Sequence, residues 1–577
     1  MRFPLLVGLQ SATMTSASAS QRFRATRWLV AGALLAFPVT ISEPARAAVP
    51  KAQCQPGDSP ETGLQGQVPV VDRVSGRASA GYHCNLTVVG GYGAPIDPTH
   101  RRVAAWATLD TYGNCAYYGD AAGVAPAPGQ PMGVVVVDIS NPSRPVRTDY
   151  LTSVAMQSPW ESLRVNAKRG LLVANRQASH YLDVYDVARD CRHPRLLFSG
   201  PMPEAVGHEG WFQPDGLIYY VSNSAGPNDP FGKGVWPIDL TDPTKPKQQA
   251  RWTFAGQIHG GSMSADGKRA YLCQIGNPNG VITVDTSLVQ ERRDFRQPRV
   301  ISTLPIPFNI ACQATYPVRY GTHPYVIQYG EETKRCSPKT VEMGAPNFDH
   351  PRIIDMADER APRIVSELKL EVDEPANCAA VTGDASPRSI SFAPGVGGGG
   401  VLFGYSVHHC SPDRLVNPTI LACGQFDAGL RVYDIRDPLA PKELAYVSLG
   451  TVSVADSTID SAISRPVVLT DRGLVVFTSE FSGLHVAALA QGVWPFAGDT
   501  CPRGEDYFFA HYNPDSACSL SARPSPRVTA SGNAGPTTVP RARGGDGLSA
   551  TGLPPALATV AFGLVLTLLL LRRRARS

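Results

Sequence analysis

The chain has 577 residues, of which 43% are hydrophobic and 18% are charged, so it can bury a large core and is not disordered. Its formal net charge of +4 is small for this length, and it shows no clustered basic face, which argues against a nucleic-acid partner. The 54 glycines and 51 prolines are typical of many short strands joined by turns.

The N-terminal residues predict export. Arginines within residues 22–27 precede an apolar run from Trp28 to Ile41, and a small-x-small site follows at residues 45–47. This order is that of a secretory signal peptide over residues 1–47. The stretch before the arginines is long for such a signal, so Met14 is an alternative start. The other interpretation is an N-terminal membrane anchor, although the apolar run is short for a bilayer.

Residues 48–83 form an N-terminal segment ahead of the repeats. It contains "VPVVDR", Val68 to Arg73, which has the composition of a strand and has no place in the repeat described below. We expect this strand to close a ring by completing the last unit and covering its open edge. A disulfide from Cys54 or Cys84 to Cys501 or Cys518 would then join the two ends.

One pattern recurs along the middle of the chain, as in "GLRVYDIRDPLAPKEL", Gly429 to Leu444. An apolar or β-branched run is followed by an aspartate and then by a loop with Asp-Pro or x-x-Pro. The aspartate should end the strand and accept backbone N–H bonds in the turn. A seventh copy, "GLHVAALA", has Ala488 at this position. The aspartates of the other six copies are Asp138, Asp186, Asp239, Asp285, Asp355 and Asp434.

A β-hairpin precedes each copy, for example "GWFQPDGLIYYVS" with its Asp-Gly turn. Each unit therefore reads as four antiparallel strands, with a spacing of about 50 residues where insertions are absent, the period of a propeller blade. Counting the units predicts an all-β, seven-bladed β-propeller over residues 84–500. "LTVVGGYG" and "RRVAAWATL" are the expected first strands of blade one, and blade seven lacks a clear fourth strand.

The repeated pattern resembles the LVIVD repeat of exported bacterial β-propellers, over roughly Cys84 to Ala490. That family is mostly uncharacterised. The resemblance implies a fold and a location outside the cell, and it does not imply a reaction.

All 12 cysteines lie in the part of the chain that would be exported. Their even number and the oxidising compartment predict disulfides, with Cys410–Cys423 and Cys501–Cys518 as short-range candidates. The absence of any CxxC pair argues against a zinc ribbon or a thioredoxin-like site.

The C-terminal residues predict an anchor. A Cys-bounded extension over residues 501–520 leads to a flexible stalk over residues 521–547, rich in Ser, Pro, Arg, Gly and Ala. Residues 548–577 then contain "LSATG", an apolar span and a basic tail.

This ending resembles a sortase sorting signal of the LPxTG or LAxTG type, with Ser549 where the family has Pro or Ala. The matching motif positions are Leu548, Thr551 and Gly552. The resemblance implies cleavage between Thr551 and Gly552 by a sortase and linkage of Thr551 to the cell wall. The alternative is a plain transmembrane anchor. Either interpretation places the domain on the outer face of the cell envelope.

Alignment of the blades on their first hairpin brings charged or titratable residues to one position, at the start of the innermost strand. These residues, together with the neighbouring Glu209, would ring one mouth of the central channel and bind a polar ligand or an anion. His208 and His259 could share a divalent metal ion. Wet channel mouths are also often polar without any ligand. The aligned residues are Glu161, His208, His259, Arg465 and, in blade six, Arg388.

"HHC", His408 to Cys410, is a separate metal candidate, but disulfide use of Cys410 favours a structural role. The sequence contains no GxSxG, HExxH, P-loop or strand-following GxGxxG motif, which argues against the matching enzyme classes. We therefore expect a non-catalytic binding scaffold for an extracellular protein or glycan. One alternative is a metal-dependent oxidoreductase or hydrolase that works at the channel mouth through His208 and His259. Another is a purely structural surface component.

Overall fold

Seven small antiparallel sheets follow one another along the chain and form a seven-bladed β-propeller, which confirms the predicted fold class. Residues 1–46 of the predicted signal peptide, and the whole of the stalk, sorting motif and apolar span, lie outside the described residues. Among the residues described, no helix is both long and apolar enough to cross a membrane. The computed structural model describes residues 47–93, 108–119, 132–177, 179–205, 207–223, 233–276, 278–308, 311–331, 337–382, 384, 403–453 and 457–494.

Two short strands precede the first blade, and blades 1 to 3 then take up the next thirteen. The first strands of neighbouring blades contact one another around the whole ring, so they are the innermost strands. The bounds are β1 Tyr82–Cys84 and β2 Leu86–Tyr92; blade 1, β3 Leu109–Tyr112, β4 Cys115–Gly119, β5 Val134–Asp138, β6 Val146–Leu151; blade 2, β7 Arg164–Asn166, β8 Leu171–Asn175, β9 Tyr181–Asp186, β10 Arg195–Pro201; blade 3, β11 Glu209–Phe212, β12 Ile218–Ser222, β13 Gly234–Asp239, β14 Lys247–Gln248, β15 Trp252–Thr253.

Blades 4 to 7 repeat the arrangement, and a two-stranded sheet lies between blades 6 and 7 in the chain. The bounds are blade 4, β16 Gln257–Met263, β17 Arg269–Ile275, β18 Gly280–Asp285, β19 Arg299–Pro305; blade 5, β20 Cys312–Tyr320, β21 His323–Gly330, β22 Arg352–Asp355, β23 Arg363–Glu367; blade 6, β24 His409–Pro412, β25 Ile420–Gly424, β26 Leu430–Asp434, β27 Lys442–Ser448; the small sheet, β28 Thr451–Ser453, β29 Thr458–Ile459; blade 7, β30 Val467–Leu469, β31 Leu474–Ser479, β32 Gly483–Leu489.

The helices in the described residues are short and lie in connections. The α-helices are α1 Val70–Ser75, α2 Ser287–Gln290, α3 Pro338–Glu342 and α4 Cys378–Thr382, and the 3₁₀-helices are Arg77–Ala80, Glu371–Asp373 and Pro375–Asn377.

The six repeated aspartates each end the third strand of a blade. In every copy the carboxylate Oδ1 accepts the backbone N–H of the residue two positions later, at 2.8 to 3.1 Å. Such a bond satisfies a donor that the strand ladder leaves unpaired where the chain turns. The repeat pattern thus marks the place where each blade turns from its third to its fourth strand.

The hydrophobic core lies between neighbouring blades. Apolar residues of β8 and β9, such as Val173 and Val184, pack on those of blade 3, such as Tyr219 and Trp236. Blade 1 packs on blade 7 in the same way, with Leu109 near Val476. Each sheet is therefore buried on both faces, which explains the nearly continuous apolar runs of the second and third strands.

The N-terminal strands close the ring, but they are not the strand that the sequence predicts. Strand β2 pairs antiparallel with β32 and supplies the missing fourth strand of blade 7. Strand β1 pairs with β27 as a fifth strand of blade 6. The expectation that "LTVVGGYG" opens blade 1 is therefore wrong, and that blade begins at β3.

Val68 to Arg73 is also not a strand, because Val70–Ser75 is the helix α1. Pro69 lacks an N–H and stands just before the helix, a position that suits proline. The charged side chains find partners there: Asp72 accepts a 2.6 Å bond from the Tyr82 hydroxyl, and the buried Arg73 guanidinium lies 3.6 Å from Asp384.

Four disulfides lie among the described residues: Cys54–Cys84, Cys115–Cys191, Cys273–Cys312 and Cys410–Cys423. The predicted Cys410–Cys423 bond is confirmed, where it joins paired positions of β24 and β25. Cys54 bonds Cys84, so the expected bond from either of them to the C-terminal extension is wrong. Cys501 and Cys518 lie outside the described residues.

Candidate metal centre in the central channel

Six titratable side chains from five blades meet at one end of the channel, and we call them the channel cluster. Glu161, His208 and His408 each stand just before or near the innermost strand of their blade, while His259 and His409 lie within theirs. Glu331 directly follows β21, the neighbour of an innermost strand. Five of the six are buried, and Glu331 is 14% exposed. The cluster consists of Glu161, His208, His259, Glu331, His408 and His409.

Glu161 lies at the centre of the cluster. Its Oε2 is 3.1 Å from His208 Nε2 and 3.4 Å from His259 Nε2. Its Oε1 is 3.1 Å from His408 Nε2 and 3.9 Å from His409 Nε2. The two imidazoles of blades 3 and 4 also touch, with their Nε2 atoms 2.7 Å apart. All four histidines therefore direct the same ring nitrogen at one carboxylate.

Glu331 is the second carboxylate of the cluster. Its Oε1 lies 3.6 Å from His259 Nε2, and its Oε2 lies 3.2 Å from His408 Nε2. Two sets of possible ligand atoms, each lying within 4.8 Å of one another, share Glu161: one includes His208 and His259, and the other includes His408 and His409. Imidazole nitrogens with carboxylate oxygens form a donor set that suits zinc, iron, copper or nickel rather than magnesium or calcium.

Mutual charge interactions divide the four histidines into two kinds. Burial would lower the pKa of His259 and His408, but the carboxylates of Glu161 and Glu331 outweigh it and raise these values to about 9 and about 10. Burial lowers the pKa of His208, and burial together with the charged His408 holds that of His409 well below its usual range. Two charged and two neutral imidazoles thus balance two carboxylates.

Burial would raise the pKa of Glu161, but its histidine neighbours hold it well below the usual range, so the carboxylate stays charged. The carboxylate also accepts a 2.8 Å bond from the side-chain amide of Gln313. A buried group with a strongly displaced pKa beside specific charge partners is typical of a functional site.

Contacts at Nδ1 orient two of the rings. The Nδ1–H of His408 donates to the carbonyl of Ile463 at 2.6 Å. When this ring loses its other proton, the lone pair is therefore on Nε2, the nitrogen that faces Glu161. His208 Nδ1 lies 3.1 Å from the side-chain amide of Gln177. Bonds of this kind fix which nitrogen faces a bound ion.

Two aromatic residues with strained backbones flank the cluster. Trp160, with φ of 49°, precedes Glu161, and its ring lies 5.9 Å from that of His208. Phe426, with φ of 33°, stacks on His408 at 4.6 Å. Bulky residues rarely adopt positive φ, and such strain concentrates at binding and catalytic sites.

A glycine allows the blades to approach each other here. A Cβ on Gly260, next to His259, would lie 1.7 Å from Glu209 Oε2 and 2.7 Å from the Gln313 carbonyl oxygen. Any side chain at this position would displace the Glu209 carboxylate and press against the backbone of blade 5. Close approach of the backbones is what brings the histidine of blade 4 to the axis.

The other predicted channel residues have different surroundings. Glu209 accepts a 2.9 Å bond from Arg164, and burial raises its pKa to about 7. Arg465 donates to Asp110 at 2.8 Å and to the Tyr316 hydroxyl at 3.2 Å. We call Asp110, Arg164, Glu209 and Arg465 the arginine network. Arg388 lies outside the described residues, and the innermost strand of blade 6 is β24 instead.

Sequence reasoning brought Glu161, His208 and His259 to one site, and the structure places them in contact. It treated His408–Cys410 as a separate candidate and missed Glu331. His408 stands four residues before the end of its innermost strand, as His208 and His259 do in theirs. The hairpin of blade 6 hid this alignment because it turns through Asn417, with φ of 48°, instead of a glycine. No sequence signal marks Glu331, which follows a second strand.

No family model matches the chain, and no curated protein matches it. Among solved structures, it is similar to the X-ray structure of a hypothetical selenium-binding protein from Sulfolobus tokodaii. The two share 12% identity with a TM-score of 0.41, over 67% of this chain and 93% of that one.

Proposed function

We propose that this protein is an exported β-propeller that binds a divalent transition-metal ion at the channel cluster. The convergence of four histidine Nε2 atoms on the two oxygens of Glu161 carries the proposal. If Glu161 needed only a counter-charge, one arginine would supply it, as Arg164 does for Glu209 in the neighbouring network. Four imidazoles around one carboxylate place several nitrogen atoms within reach of one ion, and each nitrogen is either neutral or can lose its proton to become a ligand.

Export and surface attachment form the second part of the proposal. The four disulfides in the described part of the chain support an oxidising compartment. The predicted signal peptide supports export. The "LSATG" motif with its apolar span supports anchoring by a sortase or within the membrane. The protein would thus present a metal-binding propeller outside the cell, with its loops open to a protein or glycan partner.

A metal-dependent oxidoreductase or hydrolase would use the same cluster. The strained Trp160 and Phe426 beside the histidines favour a working site over a merely polar channel mouth. Nothing in the described residues selects a reaction, so binding is the function proposed.

The test is elemental analysis of the full-length chain, purified without a metal-affinity column, beside the His208→Ala/His259→Ala variant. We expect zinc, copper, iron or another first-row metal in the wild type, and less of it in the variant. His350→Ala is the matched control, because His350 also bonds a carboxylate, Glu367, at 3.2 Å and is buried outside the cluster. Absence of metal from the wild type, before and after incubation with Zn²⁺, would contradict the proposal.

A further inference from the structure

We propose that the channel cluster holds two metal ions, bridged by the carboxylates of Glu161 and Glu331. The proposal rests on the metal-binding function proposed above and adds the number of ions and the way in which the ligands are divided between them. Site A comprises His208 and His259, and site B comprises His408 and His409.

The first observation is the way Glu161 divides its oxygens. Oε2 faces the two Nε2 atoms of site A, at 3.1 and 3.4 Å. Oε1 faces the two Nε2 atoms of site B, at 3.1 and 3.9 Å. A carboxylate that binds one ion turns one oxygen, or both together, towards a single point. Here each oxygen has its own pair of nitrogens, which is the arrangement of a bridging carboxylate.

Glu331 divides its oxygens in the same sense, and it does so from another blade. Its Oε1 faces His259 of site A at 3.6 Å, and its Oε2 faces His408 of site B at 3.2 Å. The two carboxylates come from blades 2 and 5 and are independent in sequence. Both carboxylates therefore place His259 and His408 on different oxygens, which is the strongest argument for two ions.

The ring geometry explains this division. His208 and His259 come from the adjacent blades 3 and 4, whereas His408 and His409 are consecutive residues of blade 6. Blade 5, which carries Glu331, stands between the two groups in the ring. Each site thus offers two imidazole nitrogens and one oxygen from each carboxylate, a four-donor set for a first-row divalent ion. Carboxylate-bridged ions in proteins lie about 3.5–4 Å apart.

The first test counts ions. The full-length chain is freed of metal with EDTA, incubated with excess Zn²⁺, separated from free ion by gel filtration, and analysed for zinc per chain. We expect two ions in the wild type and in the His350→Ala control. We expect one in His208→Ala/His259→Ala and one in His408→Ala/His409→Ala, because each variant keeps one site.

The second test detects the bridge. With Cu²⁺ as the probe, two ions joined by carboxylates should give an exchange-coupled electron paramagnetic resonance signal in the wild type, and an uncoupled signal in each double variant. Glu331→Gln is a milder variant, since Glu331 is partly exposed and an amide bridges poorly. It should weaken the coupling, because Glu161 remains as a bridge, while circular dichroism shows an unchanged fold.

The outcomes separate the two proposals. One ion per wild-type chain, lost in both double variants, would overturn the two-ion arrangement and leave metal binding in place. If both double variants still bound two zinc ions, and the copper signal of the wild type were uncoupled, the ions would lie outside the cluster. This result would also overturn the two-ion arrangement. Absence of any bound ion would overturn both proposals.

Discussion

The channel cluster and the arginine network lie side by side near the propeller axis, and both consist of buried charges, but they balance charge differently. In the arginine network each carboxylate has a permanent cation: Arg164 bonds Glu209 and Arg465 bonds Asp110, at 2.9 and 2.8 Å. In the channel cluster, the ion-pair partners of Glu161 and Glu331 among the described residues are imidazoles.

The positive charges of the arginine network are permanent, whereas those of the channel cluster can be exchanged for another cation. A guanidinium remains protonated at any physiological pH, so the arginine network cannot accept another cation. An imidazolium can lose its proton and offer the same nitrogen to a metal ion. The contrast indicates that the arginine network holds the inner strands together, and that the channel cluster is built to exchange what it binds.

The largest expected effect comes from the arginine network. Arg465→Met would leave Asp110 charged, buried and without its cation, and breaking such a pair costs about 3–5 kcal/mol of the free energy of unfolding. Urea unfolding measures the loss. Arg296→Met, which removes an exposed ion pair with Asp294, is the control and should cost less than about 1 kcal/mol. Equal losses in the two variants would contradict the structural role of the network. Zinc per folded chain should be unchanged in both.

Metal removal tests the channel cluster with an intermediate effect. An ion that binds only the folded state stabilises it by about 2.7 kcal/mol when its free concentration is 100 times Kd. We expect thermal unfolding of the wild type to shift upward with Zn²⁺ and to return to its starting value with EDTA. The shift should shrink in His208→Ala/His259→Ala and persist in Arg465→Met. A shift of the same size in all three proteins would place the stabilising ion outside the cluster.

The smallest effect concerns His350, whose imidazole also meets a carboxylate but lies among fixed cations. Burial and Arg352 lower the pKa of His350. Burial would raise the pKa of Glu367, but His350, Lys369 and Arg352 outweigh it and lower this pKa. Both groups therefore bind fewer protons in the folded than in the unfolded state.

Stability should fall as the pH drops below about 6.5, where an unfolded histidine takes up its proton, and fall further below about 4.5, where an unfolded glutamate does. His350→Gln should weaken the dependence between pH 7 and 5, measured as the urea midpoint at each pH. An unchanged slope would show that other groups dominate. The variant should keep its zinc, which separates this pair from the channel cluster.

The fold could be predicted because the repeat records local physics. An apolar strand that ends in an aspartate, and a hairpin that turns at Asp-Gly, are decided within about ten residues, so six copies show the blade. The closing strands depend on partners at the other end of the chain. Nothing local tells β2 to pair with β32, and Val68–Arg73 is as apolar as a strand while its charged residues find partners as a helix.

The site could be predicted from the sequence only in blades whose first hairpin is regular enough to be aligned with the others. His208 and His259 follow regular hairpins, so their shared position is visible in the sequence. His408 and His409 precede an irregular hairpin whose cysteine suggested a disulfide, and that disulfide exists beside them. Glu331 follows an ordinary second strand, and only the ring brings it to the histidines. Charge balance between blades is a property of the assembled channel.

The pairing of β1 and β2 with the last two blades also sets an order of assembly. These strands emerge first during synthesis, yet their partners, β27 and β32, are made more than 350 residues later. Until then two strands at the start of the chain have unpaired edges, and the final sheet lacks a member. Contacts of such long sequence separation slow folding, so completion of the ring must be a late event in folding.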